Sequence, residues 1–181
     1  MLQEILKFNE KFVEGKCYEK YITSKYPDKK IAILTCMDTR LTTLLPAALG
    51  LKNGDVKVIK NAGGLIWSAF DSALRSLLVG IYELGVEQIM VIHHTDCGAC
   101  KMSGVEMREL ILSRGVSSVK VETIEKCGTK ITEWLEGFHD TERSVRQTVK
   151  TIREHPLVPE DVRVNGYIID SVTGKLTEVK D

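Results

Sequence analysis

The chain has 181 residues, a length typical of one domain, and its 43% apolar and 28% charged residues are ordinary for a globular protein with a single core. Its 25 Lys and Arg residues balance its 25 Asp and Glu residues, so its charge does not favour binding to nucleic acid or to an anionic membrane. No apolar run approaches the roughly 20 residues of a membrane span, and the first residues lack the features of a signal peptide.

The first predicted element is an amphipathic helix at the N-terminus, within an arm that we assign to residues 1–28. Its apolar residues recur at helical spacing. They are Leu2, Ile5, Leu6, Phe12 and Val13. A terminal helix of this kind must cover its apolar side on its own domain or on a partner subunit.

Three apolar segments that follow are predicted to be strands: 29–36, 54–64 and 86–94. The spacing predicts an amphipathic helix over 67–84, and a helical stretch broken around Pro46 over 41–51. Because strands separated by helices form βαβ units, the pattern favours a parallel sheet.

The rest of the chain is predicted to add a helix that begins near Gly98, a fourth strand over 116–124 and a largely helical stretch over 129–153. A strand, a turn and a short return strand follow over 162–179. The fold class is therefore α/β: one domain, 1–181, with a mainly parallel central sheet, flanking helices and the N-terminal helical arm.

Three predicted loops carry the candidate functional residues. Each loop follows the carboxyl end of a strand, which is where ligands bind in open α/β sheets. Cys36, His94 and Cys97 form a Cys₂His set. Thiolates and imidazole suit Zn²⁺, and three protein ligands leave a fourth position open, as in catalytic sites. The helix predicted near Gly98 would favour the thiolate form of Cys97.

Asp38 and Arg40 follow Cys36 closely and form a second candidate pair. A guanidinium beside a carboxylate keeps it ionised and can fix its orientation with a bidentate contact. Asp38 could then accept a hydrogen bond from a zinc-bound hydroxide. The alternative is that the pair has only a structural role, with Asp38 as a helix cap and Arg40 as a surface charge.

Five cysteines is an odd number, which disfavours a disulfide framework. In a chain without export features it favours metal or thiol chemistry in a reducing compartment. We therefore expect a cytoplasmic protein.

The motifs together resemble one known family. "CMDTR" matches Cys-x-Asp-x-Arg, and "HTDCG" matches the His-x-x-Cys-Gly of β-class carbonic anhydrases. "NAGG" and the closing "GYIIDSVTGKLTEV" are also similar, so the resemblance covers nearly the whole chain and is greatest to the short prokaryotic branch.

The resemblance implies a carbonate dehydratase that hydrates CO₂ reversibly to bicarbonate, with one Zn²⁺ per subunit on Cys36, His94 and Cys97. It implies that Asp38 and Arg40 form the catalytic dyad, with Asp38 as a conditional fourth ligand in a closed state. It also implies a homodimer or homotetramer in which the N-terminal helix packs on a neighbouring subunit.

Backbone N–H groups of Gly63, Gly64 or Gly98 are candidates to hold a substrate or product oxygen. Two residues depart from the family pattern: His93 stands where glycine is common, and Trp67 where smaller polar residues are common. His93 points away from His94 if the strand continues through both, so we expect it to pack rather than to bind metal.

Two other functions remain open. The same zinc site could hydrolyse carbonyl sulfide or carbon disulfide instead. Alternatively, Cys97 and Cys100 have the Cys-x-x-Cys spacing of a redox pair, which fits a non-catalytic zinc or thiol-redox module.

Overall fold

The computed structural model describes residues 1–180, which form one α/β domain around a five-stranded sheet. The strands are β1 (Ile31–Cys36), β2 (Val56–Asn61), β3 (Gln88–His94), β4 (Arg163–Ile169) and β5 (Leu176–Val179). Their order is β2-β1-β3-β4-β5; the first four run parallel, and β5 is antiparallel to β4. The predicted α/β architecture is confirmed.

Seven α-helices accompany the sheet in the described part of the chain. They are α1 (Leu2–Glu14), α2 (Leu41–Ala48), α3 (Ser72–Leu84), α4 (Gly104–Ser113), α5 (Ser118–Lys126), α6 (Ile131–Trp134) and α7 (Thr141–Arg153). Helix α3 begins at a side-chain cap, where the Asp71 carboxylate accepts a hydrogen bond from the backbone N–H of Leu74 at 2.8 Å. Gly85 ends the same helix in the left-handed conformation that glycine adopts readily.

Three local predictions are wrong. Residues 116–124 contribute to helix α5 rather than to a fourth strand. No helix begins near Gly98: residues 98–103 form a connection of turns and loop with one isolated bridge, and α4 starts only at Gly104. The predicted break at Pro46 does not occur, since α2 continues through that residue.

The core lies on both faces of the sheet, because the side chains of a strand alternate between them. On one face, Leu34 and Val91 pack with Leu74, Leu77 and the buried side of α7. On the other, a smaller cluster joins Ile33 and Ile92 to the helix α2 and to the candidate ligand cysteines. Each fully buried leucine or isoleucine contributes about 2 kcal/mol relative to exposure. This packing holds the central strands in fixed register.

The parallel pairing brings the carboxyl ends of β1, β2 and β3 together at one end of the sheet. Cys36 is paired with Asn61, and the strand positions just before them align β1 with β3 through Thr35 and Ile92. The hydroxyl of Thr35 also donates to the carbonyl of Ile92 at 2.7 Å. The segments that follow these strands therefore converge on one site.

Helix α1 is amphipathic, as predicted, but it has no buried residue. Leu2, Ile5 and Phe8 are more than half exposed, whereas Phe12 is half-buried and contacts the ring of Tyr21. No helix within residues 1–180 has the length and apolar character to cross a membrane. Most of the apolar side of α1 is therefore exposed in the single chain.

Candidate metal centre

Cys36, His94 and Cys97 come together as the sequence predicts. Cys36 ends β1, His94 ends β3, and Cys97 lies in the turn three residues later. All three are buried, and their ligand atoms lie within 4.8 Å of one another. The two sulfurs are 3.8 Å apart. Two sulfurs and one imidazole at such distances are a donor set that fits Zn²⁺.

His94 presents one unpaired nitrogen to this cluster. Its Nδ1–H donates to the carbonyl of Thr95 at 2.9 Å, which leaves the lone pair of Nε2 free. Nε2 is buried and has no hydrogen-bond partner among the described residues. A buried polar atom without a partner is costly unless it meets a cation or another polar group. The orientation of His94 therefore suits a metal ligand that is held by a backbone carbonyl behind it.

The two thiols influence each other's pKa in opposite directions. A hydrogen bond joins the two sulfurs, and this bond outweighs burial to lower the pKa of Cys36. The same interaction, together with burial, raises the pKa of Cys97. The predicted helix N-terminus beside Cys97 is absent, so no helix stabilises a thiolate at Cys97. A bound dication would favour deprotonation of both.

The cluster also favours the protonated form of His94. Burial disfavours the imidazolium form, but the neighbouring Cys36 sulfur, the Thr95 carbonyl and Asp38 together raise the pKa of His94. The added proton would lie on Nε2, at the position where a metal ion would bind.

Asp38 and Arg40 form the predicted pair beside the ligand set. The guanidinium donates from Nε to Asp38 Oδ1 at 3.0 Å and from Nη2 to Oδ2 at 2.8 Å, a bidentate contact. These hydrogen bonds are the main reason why the pKa of Asp38 falls to about 2. Asp38 Oδ2 is 3.8 Å from His94 Nε2, so the ionised carboxylate borders the position of a metal ion.

Gly63 and Gly64 lie against the strand that carries Cys36. Both have left-handed backbone angles, φ 84° and 73°. A Cβ on Gly64 would stand 2.9 Å from the backbone carbon of Thr35, so the close approach requires glycine. The backbone N–H of Gly63 bonds to the Cys36 sulfur and helps to lower its pKa. Gly98 lies in the turn after Cys97, with open space beside its Cα.

His93 is separate from the metal centre. Its Nε2–H donates to the Gly64 carbonyl at 3.2 Å, and its ring packs on Phe138. Burial lowers the pKa of His93 to about 4, which keeps the ring neutral. Its contact holds the glycine turn against β3.

Trp67 and Cys100 lie outside the ligand cluster. Trp67 is half-exposed and lines a cavity of about 400 Å³ together with Ala99 and Trp134. Cys100 is half-buried, and its sulfur is 3.9 Å from the carbonyl of His139.

Sequence reasoning missed Asp96. This residue lies between His94 and Cys97, and its carboxylate accepts from Arg40 Nη1 at 2.8 Å. The one available signal was that a guanidinium has five N–H donors and Asp38 can accept from only part of it.

Comparisons with known proteins agree with this geometry. A family model described as carbonic anhydrase matches residues 31–176. YtiB of Bacillus subtilis, whose carbonic anhydrase name is itself provisional, is 51% identical over 176 residues, which is 97% of this chain and 94% of YtiB. The crystal structure of β-carbonic anhydrase isoform I from Trichomonas vaginalis superposes with a TM-score of 0.90 at 36% identity, covering 100% of this chain and 98% of that chain.

A more distant relative has a different named substrate. The carbon disulfide hydrolase of Saccharolobus solfataricus is 30% identical over 165 residues, covering 82% of this chain and 76% of the hydrolase.

Proposed function

The chain belongs to the β-class carbonic anhydrase family, whose members are carbonate dehydratases, and we propose that it hydrates CO₂ reversibly at one Zn²⁺ per subunit held by Cys36, His94 and Cys97. The observation that carries the proposal is the buried Cys₂His cluster with an unpaired imidazole nitrogen. Three ligands leave one position for water, which distinguishes a catalytic from a structural zinc site.

Zinc, when bound, supplies Lewis acidity that lowers the pKa of water from about 15.7 to roughly 7. The protein residues do the rest. Arg40 holds Asp38 ionised and fixes its carboxylate beside the ligand set. In that position the Asp38 carboxylate would accept a hydrogen bond from the attacking oxygen, and this bond would orient a lone pair of that oxygen toward the substrate. Asp38 is also near enough to His94 to become a fourth ligand in a closed state.

The substrate site is proposed at the glycine turns. The backbone N–H groups of Gly64 and Gly98 are the candidates to hold a substrate or product oxygen, and the open space beside Gly98 supports this role. The N–H of Gly63 already bonds to the Cys36 sulfur, so its contribution is to stabilise that thiolate.

The assembly is proposed to be a homodimer or a homotetramer. The support is the exposed apolar side of α1, which requires a second surface to cover it. The arm of residues 1–28 would then belong to the interface.

A cytoplasmic location is proposed from the thiol chemistry. All five cysteines are free, and thiols of this kind persist in a reducing compartment.

The test is stopped-flow CO₂ hydration on protein of measured zinc content between about pH 6.5 and 9. Zinc-loaded protein should accelerate hydration, and Cys36→Ser should lose both zinc and activity. Cys127→Ser is the matched control, because Cys127 is exposed and outside the cluster. A metal-free wild-type protein, or full activity in Cys36→Ser, would overturn the proposal.

Carbon disulfide or carbonyl sulfide is the second candidate substrate, favoured by the similarity to the Saccharolobus hydrolase. Assaying CO₂, COS and CS₂ side by side decides between them. The alternative of a non-catalytic zinc or thiol-redox module predicts that CO₂ hydration is absent and that Cys100→Ser abolishes the zinc or redox function. The hydration proposal predicts that Cys100→Ser still hydrates CO₂.

A further inference from the structure

Arg40 is held from two sides. One side of its guanidinium donates to both carboxylate oxygens of Asp38. The other side meets Asp96, with Nη1 donating to the carboxylate at 2.8 Å and Nη2 to the backbone carbonyl at 2.7 Å. Nη2 therefore gives one N–H to each aspartate. Four of the five N–H donors are used, and rotation of the guanidinium would break bonds to both partners.

The backbone of Asp96 makes this second contact possible. Asp96 has a φ of 53°, in the left-handed region that aspartate tolerates better than most residues. This conformation places its carbonyl and its carboxylate on the same guanidinium. The turn that contains Asp96 also carries His94 and Cys97, so Arg40 links the loop after β1 to the loop that supplies two ligands.

We propose that Asp96 is a positioning residue for the hydration reaction: it orients the Arg40 guanidinium so that its other side holds the Asp38 carboxylate beside the metal site. The inference rests on the proposed roles of Asp38 and Arg40. Asp96 does not touch the reacting atoms and acts only through Arg40.

The Asp96 carboxylate is a clean target for mutation because it contributes little to folding. Its side chain is 87% exposed, and ion pairs in such positions add little stability. Asp96→Gly keeps the left-handed backbone and the carbonyl but removes the carboxylate. Asp96→Asn keeps an oxygen acceptor and removes the charge.

Lys101 offers a matched control. It is exposed, has a φ of 71° and lies in the same connection, four residues after Cys97, so Lys101→Gly makes the same kind of backbone change without touching Arg40.

The test combines two measurements on the full-length protein. The first is kcat/KM for CO₂ hydration with zinc loaded. The second is NMR of the Arg40 side chain, which measures rotation of the guanidinium and needs neither zinc nor activity; its signal is assigned by its loss in Arg40→Ala. We expect Asp96→Gly to retain zinc, to lower kcat/KM on the order of tenfold and to speed guanidinium rotation severalfold. Asp96→Asn should recover most of both, and Lys101→Gly should match the wild type.

The outcomes separate the two proposals. Unchanged rotation in Asp96→Gly overturns the inference, and so does faster rotation with unchanged kcat/KM. If the wild-type protein does not hydrate CO₂ yet Asp96→Gly frees the guanidinium, the proposed function fails while Asp96 remains the residue that orients Arg40.

Discussion

The orientation of one carboxylate depends on one guanidinium. Asp38 Oδ2 lies 3.8 Å from His94 Nε2, and the bidentate contact with Arg40 keeps it directed to the guanidinium. The backbone N–H of Arg40 adds a third bond, to Asp38 Oδ1 at 2.8 Å. That bond survives substitution of the side chain, so a mutation of Arg40 tests the guanidinium alone.

We predict that Arg40→Ala lowers kcat/KM for CO₂ hydration on the order of 10- to 100-fold, because Asp38 loses its charge-assisted partner and is free to bind the metal. Stopped-flow assays measure the loss, and a crystal structure of the zinc-loaded variant should show Asp38 as a fourth ligand. Arg40→Lys is the control, since it keeps the charge and loses the fork. Undiminished turnover in Arg40→Ala would refute the dyad.

Gly64 provides a residue-scale prediction about stability. An alanine there must adopt a φ of 73° and place its Cβ 2.9 Å from the Thr35 backbone carbon. We expect Gly64→Ala to lower the free energy of unfolding by about 3 kcal/mol, from the left-handed backbone and the steric overlap together.

Gly85→Ala is the matched control for Gly64→Ala. Gly85 has a φ of 71° but open space around it, so that variant should lose only about 1 kcal/mol. Urea unfolding of the metal-free proteins measures both. Equal losses would show that the contact of Gly64 with β1 carries no cost.

Residue-level reasoning from the sequence was strongest where chemistry restricts the choice of residue. The Cys36, His94 and Cys97 grouping follows from the ligand preferences of zinc and from the positions of strand ends, and the three residues do meet. Asp96 could not be found in this way. Its contact depends on a left-handed backbone angle at one residue and on a partner 56 positions away, and neither leaves a periodic pattern.

At the scale of elements, the strands that the sheet buries were the most predictable. Strands β1 and β3 are buried over most of their length and appear in the sequence as continuous apolar runs. The 116–124 segment misled because Val119 and Val121 alternate as in a strand. In the structure Val121 is buried but Val119 is 65% exposed, so the two side chains do not share the buried face that a strand would give them. Its helix packs beside α6, away from the sheet.

Helix α1 gives the prediction for an element. If its apolar side forms the subunit interface, the double variant Ile5→Asp/Leu6→Asp should dissociate the oligomer, because burying two charges in an apolar contact is unfavourable. Light scattering coupled to size-exclusion chromatography measures the mass. Glu4→Lys/Glu10→Lys is the control, since it changes exposed charges on the same helix and should leave the mass unchanged. An oligomer that persists in the aspartate variant would place the interface elsewhere.

At the scale of the whole molecule, the sheet and the metal site depend on each other. The ligands come from the ends of β1 and β3, two strands in the centre of the sheet that are 57 residues apart at the paired positions Thr35 and Ile92. A metal ion bound to Cys36 and to the His94–Cys97 turn would therefore cross-link distant parts of the chain. Because the unfolded chain does not preform this ligand set, the free energy of metal binding adds to the stability of the folded state.

This coupling predicts that removing the metal destabilises the entire domain. A ligand present at about 1,000 times its Kd adds roughly 4 kcal/mol, so chelation should lower Tm by on the order of 10 °C for a domain of this size. Differential scanning calorimetry with and without a chelator measures the shift. Cys36→Ser should unfold near the Tm of the chelated wild type and should not respond to the chelator. Equal Tm values for loaded and chelated wild-type protein would mean that no metal bridges the two strands, and the cluster at the end of the sheet would then hold only protons.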